Sequence, residues 1–151
     1  MSSRALALII VLGLNLAACS RAFQIFPAGT LQSGVYFEFG VLDGSRTKNR
    51  IVFFNVSAVS ADLTRELIWQ LEGRARVVKI RYGVPPEKLN EQSPAPPLQV
   101  MHVYEVLAQD EPRGPMSAPG GAYAVFYISE NGVPIECPSV DRCVELVTGA
   151  T

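Results

Sequence analysis

Between residues 35 and 41 the chain alternates without a break: Val35, Phe37, Phe39 and Val41 are apolar, with Tyr36, Glu38 and Gly40 between them. A period of two puts the first set on one side of an extended backbone, so the segment predicts a strand with one buried face. The same alternation recurs in Arg76 to Tyr82, where Val78, Ile80 and Tyr82 oppose Lys79 and Arg81, and in Gln99 to Ala108. Ile51 to Val56 and Ala122 to Ile128 are instead continuously apolar, as suits strands covered on both faces. Asp43-Gly44 and Asn131-Gly132 supply turns, and the first two strands are expected to pair antiparallel.

One segment reads differently. Ser60 or Asp62 can cap a helix of about three turns over Asp62 to Glu72, closed by Gly73, with Leu63, Leu67, Ile68 and Leu71 as its apolar stripe. Trp69, the chain's single tryptophan, then falls on the charged side between Arg65 and Glu66. Either Trp69, Arg65 and Glu66 form a docking surface, because tryptophan is enriched among interface hot spots, or another part of the chain covers the indole. Strand, helix and strand in succession allow a right-handed βαβ crossover, and an antiparallel arrangement of the two strands is the alternative. Val144 to Val147 reads as a last edge strand. The expected fold is α+β: one mostly antiparallel sheet of about five or six strands with a single packed helix.

The N-terminus carries a different kind of signal. Arg4 precedes an apolar run, Ala5 to Leu14, that is interrupted only by Gly13 and is too short for a membrane-spanning helix of about 20 residues. It ends in Leu16-Ala17-Ala18-Cys19, which resembles the lipobox of bacterial lipoproteins: an aliphatic residue, two small residues and a cysteine. The resemblance implies that residues 1–18 are a leader removed before Cys19. It also implies that the Cys19 thiol takes a diacylglycerol and that the new amine takes a further acyl chain such as palmitate. Two or more chains make such an anchor effectively permanent. In that family an aspartate after the cysteine implies inner-membrane retention, so Ser20 points to the outer membrane, with the protein facing the periplasm. Residues 19–34 are then the anchor and a short tether, and 35–151 a single globular domain. Phe23, Ile25 and Phe26 are unusual in a tether, forming either a short strand ended by Pro27 or aromatics resting at the lipid interface.

Losing Arg4 with the leader leaves 12 basic and 14 acidic residues, a balance that argues against general nucleic-acid binding. Of three cysteines, lipidation of Cys19 leaves Cys137 and Cys143, which in an exported chain are expected to form a disulfide. The competing metal site lacks ligands: two thiols and one distant histidine, His102, fall short of a four-ligand set.

His102 has no neighbour that identifies a catalytic base or nucleophile, and a half-buried structural imidazole is its simpler role. No nucleophile elbow, phosphate loop or zinc-protease helix is present. The chain is therefore read as no enzyme and as needing no cofactor or metal. It is read as a binding or assembly module for an envelope protein partner, with a small periplasmic hydrolase or ligand-binding protein as the competing reading. Two proline-rich loops, residues 83–98 and 110–121, are either functional or disordered. The basic set Arg46, Lys48, Arg50, Arg74, Arg76, Lys79 and Arg81 faces either lipid phosphates or an anionic partner, or is a solvated surface. Acidic residues elsewhere favour the solvated surface.

Overall fold

The computed structural model describes residues 23–149 apart from Leu42 and Arg113, so the leader and Cys19 lie outside the described residues. Among the described residues nine strands and one helix follow in order: β1 Gln24–Thr30, β2 Gly34–Gly40, β3 Asn49–Val59, β4 Arg65–Val77, β5 Lys79–Arg81, β6 Leu89–Glu91, β7 Val103–Asp110, β8 Gly121–Ile128, β9 Pro134–Cys137 and α1 Val140–Thr148. The fold is α+β. Its strands form two antiparallel sheets rather than one: a small sheet in the order β1-β2-β5 and a large one in the order β6-β4-β3-β7-β8-β9.

The alternation in β2 sends Phe37 and Phe39 from the small sheet onto the large one. There Phe37 meets Phe54 and Phe126 with ring centroids 5.4 and 5.6 Å apart, and Phe39 meets Phe54 edge-on at 6.4 Å. Fully burying each such side chain contributes about 1.5–3 kcal/mol, so this seam dominates the core. The opposite face of the large sheet carries α1, which packs Val140 and Cys143 against Val59, Val103 and Val125. The layers are thus small sheet, large sheet, helix.

The segment from 62 to 72 is not a helix, and no βαβ crossover forms. Ser60 and Thr64 close a hairpin, with the Ser60 amide donating to the Thr64 carbonyl at 2.9 Å, and Asp62 caps that turn by accepting from the Thr64 amide. From Arg65 the chain returns beside β3 as an antiparallel strand. A bulge at Ile68 shifts the register, after which Trp69, Leu71 and Ala75 all face the core. At Gly73, with φ 149°, the β6 backbone comes so near that a Cβ would lie 2.2 Å from the Lys88 carbonyl oxygen. Only glycine allows β6 to pair there.

Residues 144–147 are not an edge strand but the last turns of α1. The Ser139 hydroxyl accepts from the Arg142 amide at the N-terminus and Gly149, with φ 68°, ends the helix. Val140, Cys143, Val144 and Val147 recur at the spacing of one helical face, and all pack on the second core cluster. The Cys137–Cys143 disulfide is present, with a Cα separation of 5.6 Å, and ties α1 to β9.

The domain also begins earlier than residue 35. Phe23 and Ile25 are buried, so the span placed in the tether already belongs to the core from Phe23 onward. Pro27 sits within β1 instead of ending it, because β1 is an edge strand and proline is tolerated there.

Candidate functional site

The long strand β3 defines two ends of the molecule, since its termini Asn49 and Val59 are about 30 Å apart. At the Val59 end lies a cleft of about 660 Å³. Its walls come from three segments: the β3–β4 hairpin with Ser60, Ala61 and Glu66; the loop before β7 with Pro96, Pro97, Gln99 and His102; and Val144, Val147 and Thr148 of α1. That volume matches the usual range for small-ligand pockets or for a few inserted side chains.

The proline-rich wall is held in place by tyrosines. Tyr82 donates its hydroxyl to the Pro96 carbonyl at 2.8 Å, and the Tyr104 hydroxyl accepts from the Gln99 amide at 2.8 Å. Burial raises both phenols, so they stay neutral across the physiological range. Met101, which lines the cleft, has φ 54°, a left-handed conformation costly for a side-chain-bearing residue. The Met101 amide donates to the Ile128 carbonyl at 2.6 Å, which helps to hold it there.

Large exposed apolar side chains gather at this end. Leu31, Leu63, Leu67, Val100, Val133 and Leu146 are among those exposed on elements of this end, although none of them lines the cleft, whereas Val78 and Met116 are exposed toward the Asn49 end. His102 and Glu66 both line the cleft. Nδ1 of His102 lies 3.0 Å from the Val100 carbonyl, so that nitrogen is engaged by backbone. No hydrogen bond joins His102 to a serine, cysteine or carboxylate among the described residues.

The three residues read from the sequence as one docking surface are separated by the strand geometry. Trp69 is fully buried, edge-on to Phe54 and Tyr82 at 5.8 and 5.1 Å, and its indole N–H donates to Glu91 at 2.6 Å. The indole is core, covered by another part of the chain. Glu66 lines the cleft. Arg65 lies on the outer face, where Nε donates to Glu105 at 2.7 Å while the Tyr123 hydroxyl donates to the other Glu105 oxygen at 2.6 Å. Burial pushes the Glu105 carboxyl up, but the hydrogen bonds from Arg65 and Tyr123 outweigh it and hold the group below the ordinary carboxylate value. Tyr123 is 53% exposed, yet its hydroxyl end is tucked against Glu105; burial, then that contact, push the phenol up to about 12.

No family model matches the chain, and no curated protein or solved structure is significantly similar to it.

The Asn49 end differs in character. The basic set divides there: Arg46 pairs with Glu38 and covers Phe26, and Lys79 lies over Tyr36, on the small sheet. Arg50, Arg74 and Arg76 converge with Lys48 and with Lys88, which the sequence reading did not include, around two adjoining grooves of about 490 and 410 Å³. Arg50 and Arg74 share one carboxylate, Glu111, at 2.9 and 3.3 Å. No group of three or more metal-ligating side chains occurs among the described residues, and no helix there is long and apolar enough to cross a membrane.

Proposed function

We propose that this chain is an envelope lipoprotein, tethered to the outer membrane through acyl chains on Cys19, whose domain is a binding module that receives a protein partner at the cleft end. The observation that carries the binding role is the cleft itself, whose walls include the apolar side chains Ile68, Met101, Val144 and Val147. A shaped cavity with apolar walls is the usual signature of an interaction site. The tether rests on Leu16-Ala17-Ala18-Cys19 and gains support from cysteine parity, because the Cys137–Cys143 bond leaves Cys19 as the odd thiol.

The runner-up is a small hydrolase or ligand-binding protein. It is favoured by the presence of His102 and Glu66 in one cleft, and weakened by the backbone contact that His102 already makes.

The test is a photo-crosslinking residue at Gln99 on the cleft rim, with a second at Asn90 on β6 as control, in intact bacteria. A discrete protein adduct from position 99, absent from position 90 and lost with Val147→Arg in a still-folded chain, supports the module. Retained adduct in Val147→Arg, or adducts equal at both positions, removes the cleft from the interface. If His102→Ala alone abolishes the cellular role while the adduct persists, the hydrolase or ligand reading takes its place. Incorporation of a labelled fatty acid into the wild type and not into Cys19→Ser tests the anchor separately.

A further inference from the structure

We propose that the Asn49 end of the domain is a membrane-contact face, which rests on the anionic phospholipid headgroups of the same bilayer that holds the acyl chains of Cys19. This rests on the anchor reading above and adds to it an orientation and a lipid chemistry.

The first support is where the chain enters the domain. Phe23 packs against Phe39 with ring centroids 6.0 Å apart, and the Phe39 carbonyl accepts from the Thr47 amide at 2.8 Å, two residues before β3 starts at Asn49. The N-terminus therefore joins the domain at the basic end. Four residues of extended chain span at most about 14 Å, which bounds the distance from Cys19 to Phe23. An acylated Cys19 thus holds this end within two Debye lengths or less of the headgroups, since that length is about 8 Å at physiological salt.

The second is charge. The two grooves at this end carry five cations, Lys48, Arg50, Arg74, Arg76 and Lys88, against three carboxylates, Glu87, Asp110 and Glu111. Glu111 is spent on Arg50 and Arg74, and among the described residues no ion pair engages Lys48, Arg76 or Lys88, all of them exposed. A solvated surface spreads such charges over the molecule; here they gather where the tether arrives.

The third is Met116, 96% exposed on the loop that joins β7 to β8 at this same end. The Glu111 amide donates to the Arg50 carbonyl at 2.9 Å, fixing the loop's root beside the basic groove, and the Ser117 amide donates to Gly114 at 3.1 Å, closing a turn around Met116. An apolar tip on a loop rooted at a cationic groove has the chemistry of interfacial binding: the cations meet headgroup phosphates and the thioether enters the boundary below them.

The test uses the full mature chain, purified with its lipid from a bacterial host, with Met116→Cys carrying a polarity-sensitive dye and acylation of Cys19 checked by mass. It is reconstituted into phosphatidylcholine vesicles with or without phosphatidylglycerol, some lipids bearing a headgroup spin label. Quenching of the dye is expected in anionic vesicles. It should weaken in neutral vesicles and in a folded Lys48→Gln, Arg76→Gln, Lys88→Gln variant, the contact equilibrium falling about fivefold per cation removed. An acylated chain whose dye is unquenched, or is quenched equally in neutral vesicles or in the triple variant, overturns the contact face and leaves the anchor standing. A chain without acylation that fails to float with vesicles overturns the anchor, and the contact face with it.

Discussion

Asn49 and Val59 begin and end the same strand, but the surroundings of the two residues have little in common. Around Asn49 the surface is cationic, its grooves are polar, and the chain enters from the N-terminus. Around Val59 a helix, a hairpin and a proline-rich loop frame a cleft whose walls include the apolar Ile68, Met101, Val144 and Val147. A two-layer sheet packing satisfies only the interior. What lies at the two rims is free to be set by function, and the contrast suggests a protein held at one end and used at the other.

The first way to break that contrast is through what the ends share. Trp69→Ala should cost about 3–5 kcal/mol in urea unfolding and lower amide protection at both ends together, because the indole is buried in the seam between the sheets. Loss confined to one end would mean two independently stable halves. Next is the disulfide, which belongs to one end alone. Replacing Cys137 and Cys143 with alanine should cost about 2–3 kcal/mol, with the amides of α1 exchanging first and those of β1 and β2 unchanged. Protection lost equally in β1 would contradict the separation.

Glu105 sharpens the comparison from the middle of the outer face. Its carboxyl is held below its unfolded value of 4.5, so its contribution is fully present above that pH and disappears as the pH falls through the lower folded value. Glu105→Gln should therefore remove about 1–3 kcal/mol at neutral pH and flatten the acid limb of stability below pH 4.5. An unchanged acid limb would show that Arg65 and Tyr123 do not hold the charge. Smallest should be Lys48→Gln and Arg76→Gln, each within about 0.5 kcal/mol in thermal melts, since they carry no packing role. A large loss would make the cationic end structural.

Much of the fold was legible in the sequence, most clearly where the period was clean. Val35 to Val41, Ile51 to Val56 and Ala122 to Ile128 lie in β2, β3 and β8 or run just past them. The two failures have different causes. A bulge at Ile68 breaks the period of two in β4, and the remaining Leu63, Leu67, Ile68 and Leu71 mimic a helical stripe. The misplaced Trp69 was the warning, because on an extended backbone it joins Leu71 and Ala75 on the buried side. Val144 to Val147 taken alone fits an edge strand, and the helical face emerges only with Val140 and Cys143, which complete it. Little of the cleft was legible, since its walls come from segments about 40 residues apart that only the sheet order brings together.

The two-ended arrangement is tested most directly by height above the bilayer. Energy transfer from a dye at Ala61, beside the cleft, or at Met116, on the basic end, to acceptor lipids would measure it in the reconstituted, acylated chain. Met116 should lie at the headgroups and Ala61 about 30 Å farther out, the length of β3. Equal heights, or Ala61 nearer the lipid, would contradict a domain held at its cationic end and open at the other.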